Sequence, residues 1–145
     1  MPATESGSPL LLYMIKQVEL ACRAQIDEIV RPVGLTAAQY TALTVLERHA
    51  DMSSAQLARY SFVTAQSMAD MITALEGRKL IERHRDKADR RRLVVALTDE
   101  GRAMLDRCRD DVDALEASML AGLSTAQTKA LRATLATCYT NLSKG

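Results

Sequence analysis

The chain has 145 residues, 48% apolar and 26% charged, with 19 basic against 18 acidic side chains for a formal net charge of +1. That length suits one domain with a real core or two small lobes sharing helices. No stretch approaches the roughly 20 apolar residues that cross a bilayer, and with one Phe and no Trp the packing falls to Leu, Ala, Val and Met, which suits helices.

Residues 1–8 are small and polar and are expected to be disordered. They carry no basic residue and no apolar run, so they predict no secretory signal and a cytoplasmic protein. A helix is expected from Pro9, with Ser8 as cap and proline at its first position. Leu11, Ile15, Val18, Cys22, Ile26 and Ile29 form its apolar stripe, and Arg31-Pro32 ends it, because proline disfavours helix in the residue before it.

Gly34-Leu35 turns the chain into Thr36-Ala37-Ala38-Gln39, a capping-box pattern. The second helix then runs to about Arg48, with Tyr40, Leu43 and Leu46 inward. Ser53-Ser54-Ala55-Gln56 repeats the pattern and opens a short helix through Tyr60. Ser61-Phe62-Val63 is a brief turn, so the third helix and the next one form a helix-turn-helix candidate. Thr64 caps that next helix. Met68, Met71, Ile72 and Leu75 recur at i, i+3, i+4 and i+7, while Gln66, Asp70 and Thr73 project from the opposite face.

After Arg78-Lys79 the period changes. Leu80–Arg85 and Arg92–Leu97 are expected as two strands, with Leu93, Val95 and Leu97 on one face. The loop between them is polar. Residues 78–92 hold eight basic side chains (Arg78, Lys79, Arg83, Arg85, Lys87, Arg90, Arg91, Arg92) against Glu82, Asp86 and Asp89. A basic patch on a near-neutral chain, placed directly after an amphipathic helix, is the footprint of a phosphate-binding surface. The expected fold class is mainly α with a small β-hairpin wing.

Thr98-Asp99-Glu100 restarts a helix, a cap followed by two acids in the positive first turn. Leu105, Cys108, Val112, Leu115 and Met119 step 3, 4, 3, 4, a heptad seam. Ser124-Thr125-Ala126-Gln127 caps a last helix, where Leu131, Leu135, Cys138 and Leu142 continue it. Such stripes on the end helices call for partners, supplied most simply by a second copy of the chain or else by closure into an intramolecular three-helix bundle. The expected organisation is residues 9–34 and 98–145 as helical dimerisation region and 35–97 as winged helix-turn-helix DNA-binding domain.

Cys22, Cys108 and Cys138 are odd in number and widely spaced, unlike a disulfide framework or a zinc site. Each falls on an apolar stripe and is expected to be a small buried hydrophobe. Only His49 and His84 are present, and no nucleophile elbow, phosphate loop or metal motif occurs. No enzyme, no metal site and no cofactor are expected.

Gly34-Leu35-Thr36, Gln39-Tyr40, Leu43, Leu57-Ala58, Leu75-Glu76, Leu80-Ile81-Glu82-Arg83, Asp89-Arg90-Arg91 and Leu97-Thr98-Asp99-Glu100-Gly101 resemble the MarR (multiple antibiotic resistance regulator) family, in order and spacing, across roughly residues 10–140. The resemblance implies a cytoplasmic homodimer with one winged helix per subunit. It also implies a transcription factor, most often a repressor, that binds a pseudo-palindromic duplex and is released by a small phenolic or aromatic-acid effector. Matched to the family pattern, the DNA-contacting residues would be Ser53, Thr64, Ala65, Gln66, Ser67, Asp70, Lys87, Asp89, Arg90 and Arg91. Gln66 suits adenine N6/N7 in the major groove, and Asp89 can hold Arg91 for entry into a minor groove.

Three positions depart from the family pattern. Asp70 stands where many members carry a basic or polar residue, and either accepts from a cytosine amine or repels backbone. Lys79 replaces a glycine and is expected to hold a strained backbone. Phe62 replaces a small residue and is expected either in the core or lining a pocket. Arg23, Tyr40 and Phe62 are the expected effector-binding residues. The reactive Cys of the peroxide-sensing branch would lie near Leu12, almost three turns before Cys22. Two alternatives stay open: a winged-helix protein-interaction module and a thiol-based redox regulator.

Overall fold

The computed structural model describes residues 7–143. The elements in order are α1 (Leu11–Val30), a 3-10 turn (Arg31–Val33), α2 (Ala37–Arg48), α3 (Ser54–Tyr60), α4 (Ala65–Gly77), β1 (Ile81–Arg85), β2 (Leu93–Leu97), α5 (Asp99–Met119) and α6 (Thr125–Leu142). Residues up to Val112 form one compact unit and those from Asp113 a second. The disordered stretch expected at residues 1–8 lies outside the described residues for positions 1–6.

Helix starts follow the chemistry of their caps. Thr36, Ser53 and Ser124 each form a complete capping box with Gln39, Gln56 and Gln127. Asp27 on α1 adds to the first of these, its Oδ1 accepting the Ala37 amide at 2.7 Å. The exception is α1. Ser8 and Pro9 stay outside the helix, and Leu10 occupies the N-cap with extended backbone and no side-chain cap bond. Leu10, Leu11, Leu12 and Tyr13 are all exposed, so no packing supports an earlier start.

Three helix ends in the first unit share one device. After α1, the Gly34 amide donates to Arg31 O and the Leu35 amide to Val30 O. The same pair of bonds recurs after α3 (Phe62 to Arg59, Val63 to Ala58) and after α4 (Lys79 to Glu76, Leu80 to Leu75). This is the Schellman closure, which needs a left-handed residue followed by an apolar one. Gly34 supplies the first at φ 77°, but Phe62 (φ 63°) and Lys79 (φ 62°) supply the others against a steric penalty. The Lys79 expectation is met, and Phe62 belongs with it.

The core of the first unit gathers Val30, Leu43, Leu57, Met68, Ile72, Leu75, Ile81, Val95 and Leu105, with Ile26, Ile29, Tyr40, Met71 and Val112 packed partly against it. Tyr40 is thus half-buried rather than buried. The hairpin pairs β1 and β2 antiparallel, Ile81 opposite Leu97 and Arg85 opposite Leu93, and a Met52–Val95 bridge adds a third short edge. The alternation expected for β2 fails at its start. Leu93 is exposed and Val94 fully buried, because Leu93 lies at the loop end of the hairpin, beyond the core.

The α5 seam buries Leu105 and Cys108, half-buries Val112 and Leu115, and leaves Met119 exposed. Burial and the nearby Asp111 carboxylate push the Cys108 thiol up from its ordinary value. Cys22 is half-buried and Cys138 exposed, so the burial expected of all three cysteines holds for Cys108 alone. The reason is that α6 has no buried residue and the outer part of α1 is uncovered. Among the described residues, no helix is long and apolar enough to cross a membrane.

Candidate nucleic-acid interface

The exposed face of α4 carries Ala65, Gln66, Ser67, Asp70 and Thr73, while Met68, Ile72 and Leu75 hold the opposite face in the core. Thr64 Oγ1 accepts the Ser67 amide at 3.0 Å and donates to Ser67 Oγ at 3.0 Å. Its hydroxyl is therefore engaged at the helix end, and the Ser67 proton is the one left to point outward. Thr73 is likewise tied, donating to Ala69 O. Gln66 and Asp70 carry no side-chain bond among the described residues. Two groups able to hydrogen-bond base edges thus stand on a helix whose first-turn amides face outward at its positive end.

The wing loop shapes itself. Asp86 Oδ1 accepts the Ala88 amide at 3.1 Å, and Asp89 Oδ1 accepts the Arg91 amide at 3.1 Å. These are two successive Asx turns. The ends of the loop close through Asp86 N–H to Arg92 O and Arg92 N–H to Asp89 O, each 2.9 Å. Asp89 Oδ1 also accepts from Arg91 Nε at 3.3 Å, while the Arg91 side chain is 93% exposed. One carboxylate therefore orients a guanidinium that solvent reaches almost completely.

The eight basic side chains of residues 78–92 do not act as one patch. Arg78 donates to Gly34 O at 2.8 Å and Val33 O at 2.9 Å, clamping the end of α4 onto the turn after α1. Arg83 pairs with Glu76 at 3.3 Å. Arg92 pairs with Asp86 at 3.2 Å and donates to Gln56 Oε1. Among the described residues, Lys79, Lys87 and Arg90 carry no side-chain bond, so the unpaired charge of the loop is Lys87 and Arg90 beside the oriented Arg91. Ser53 is half-buried and engaged twice by Gln56, accepting its amide and donating to its Oε1, each at 3.2 Å. It faces solvent less than the sequence suggests.

Charge counting by residue type missed the roles of Arg78, Gln56 and Arg92. A guanidinium bound to carbonyls looks the same in sequence as one awaiting a phosphate. The only hint was that Arg78 directly follows the last turn of α4.

A separate cavity of about 610 Å³ opens between α1, α2 and the α3–α4 turn, lined among others by Lys16, Glu19, Arg23, Ser61 and Phe62. That volume lies in the usual range for small-molecule sites. Arg23 is ion-paired with Glu19. Phe62, 82% exposed, lines the cavity and does not enter the core. Tyr40 is not among the lining residues and packs partly against the core instead. Ser61 is 4% exposed and its Oγ has no hydrogen-bond partner among the described residues.

A model described as MarR family matches residues 33–92. HTH-type transcriptional repressor Rv2887 of Mycobacterium tuberculosis is 32% identical over 115 residues, 79% of this chain and 83% of that protein. Among solved structures, the transcriptional repressor CouR bound to a 23-mer DNA duplex superposes with a TM-score of 0.75 at 32% identity, covering 90% of this chain and 92% of that one. CouR from Rhodococcus jostii RHA1 bound to p-coumaroyl-CoA gives 0.78 at 24% identity, covering 86% and 88%.

Proposed function

The chain belongs to the MarR family of DNA-binding transcriptional regulators, and from that premise we propose how it binds and how it lets go. It acts as a homodimeric repressor. Its two α4 helices enter successive major grooves of a pseudo-palindromic operator, about 34 Å apart, and its wings reach the flanking minor grooves. Gln66 reads a base edge, Asp70 accepts from a cytosine amine, and Ser67 with the amides of Ala65 and Gln66 holds backbone phosphate at the capped start of α4. Lys87, Arg90 and Arg91 neutralise phosphate, with Asp89 aiming Arg91. The observation that carries this reading is the pairing of an exposed polar helix face, its Gln66 and Asp70 without a side-chain bond among the described residues, with a loop that fixes its own shape.

The effector is an aromatic carboxylate or its thioester, held in the cavity beside the α3–α4 turn. Lys16 supplies positive charge there and Arg23 a guanidinium paired with Glu19, Phe62 an aromatic face, and Ile26, Ala37, Ala38 and Val63 apolar walls. The α3–α4 turn is one wall, so a ligand would press directly on the segment that sets α4. The same fold in CouR from Rhodococcus jostii RHA1 takes p-coumaroyl-CoA, which fits this class.

The test is binding to duplexes from upstream of the chain's own gene across a salt series. Wild type is expected to bind specifically. Arg91→Ala is expected to weaken every duplex and reduce the slope of log K against log salt by about 1, while Gln66→Ala relaxes choice among sequences. An Arg91→Ala protein with unchanged affinity and slope overturns the wing assignment. Titrating 4-hydroxybenzoate and p-coumaroyl-CoA into the complex is expected to release the DNA for at least one of them, and Arg23→Ala to blunt that release. Release by neither rejects the aromatic-acid class.

A further inference from the structure

Arg92 sits at the junction of wing and body. Its backbone closes the loop through Asp86 and Asp89. Its guanidinium then forks, Nη1 donating to Asp86 Oδ2 at 3.2 Å and Nη2 to Gln56 Oε1. Asp86 is the best covered acid of the loop, its side chain 17% exposed. Gln56 Oε1 already accepts the Ser53 amide at 3.0 Å as part of the α3 capping box. One carbonyl oxygen therefore joins the N-terminus of α3 to the tail of the wing, across 36 residues of sequence.

We propose that Arg92 is a positioning residue for DNA binding. It meets no phosphate itself. Through Gln56 and Asp86 it fixes where the wing stands relative to the start of α3, so that Lys87, Arg90 and Arg91 arrive in register with the groups on α3 and α4. Without the tie the loop keeps its internal Asx turns but swings about its two strands, and ordering it again opposes binding. The planar fork is what allows two acceptors to be held at once, which an ammonium group does not reproduce.

The proposal rests on the DNA-binding reading of the wing, and its test separates the two. A double-mutant cycle of Gln56→Ala and Arg92→Ala is measured on operator affinity. Each single change is expected to weaken binding about 5-fold and the double change clearly less than the product of the two, because both break the shared Arg92–Gln56 bond, while Gln56→Ala also loses the α3 capping bond and Arg92→Ala the Asp86 pair. Arg92→Lys, which keeps the charge, is expected to fall with Arg92→Ala. If Arg92 instead meets a phosphate, the two fold-changes multiply and Arg92→Lys binds like wild type; either result overturns the proposal. Hydrogen exchange of the free protein tests the tie without DNA. Amides of residues 86–92 are expected to exchange faster in Arg92→Ala and Gln56→Ala, in Arg92→Ala with the α3 amides unaltered because its capping box stays intact, and unaltered exchange at residues 86–92 also overturns it.

Discussion

Lys79 holds a left-handed backbone at φ 62°, where a Cβ crowds the following carbonyl at roughly 1–2 kcal/mol. Lys79→Gly relieves that strain, and after the added freedom of the unfolded chain is expected to raise unfolding free energy by about 1 kcal/mol in urea titration. Gly101 is the opposite case. A Cβ there would lie 2.2 Å from Leu80 O and 2.5 Å from Leu97 Cδ1, so Gly101→Ala is expected to cost about 2–4 kcal/mol, measured the same way. Both positions were visible in sequence, since Lys79 stood out as a departure from the MarR pattern and Gly101 closed one of its motifs. Phe62 was noticed too, but its left-handed backbone was not foreseen. A phenyl group signals burial far more strongly than it signals a helix end.

Among the elements, α4 is held at both ends, by the Schellman turn around Phe62 before it and by the Arg78 clamp after it. Arg78→Met removes two charge-assisted bonds to carbonyls. It is expected to lower stability by about 1–2 kcal/mol while leaving the salt slope of DNA binding unchanged, which distinguishes it from Arg91→Ala. Where local chemistry decides an element, the sequence was a good guide: the Thr36, Ser53 and Ser124 boxes and the Thr64 cap all form. It misled where a partner decides. Ser8 and Pro9 have the chemistry of a helix start, yet Leu10 and Leu11 stand exposed and do not support one. Likewise Leu93 has the period of a core residue but stands beyond the end of the core.

For the molecule as a whole, the uncovered apolar side chains are the dominant fact. In the first unit Leu11, Leu12, Ile15 and Val18 on α1 are each more than half exposed, and in the second Tyr139 and Leu142 on α6 are as well. Surfaces of that kind fit the proposed homodimer. Sedimentation equilibrium is expected to give a dimer, and Leu12→Glu with Ile15→Glu a monomer with operator affinity reduced by at least about 10-fold. A monomeric wild type would exclude the homodimer. The heptad seam on α5 and α6 looks continuous in sequence, and only the structure shows that its burial fades after Cys108, Val112 and Leu115 being half-buried and Met119 exposed.

Ser61 bears on how such a protein responds to selection. Its hydroxyl is buried with no protein partner among the described residues, so Ser61→Ala is expected to keep the fold and raise the melting temperature in thermal denaturation. The same change would strip the wall of the proposed effector cavity of a buried hydrogen-bonding group. Breeding this regulator for thermal endurance and breeding it for inducibility would therefore push position 61 in opposite directions.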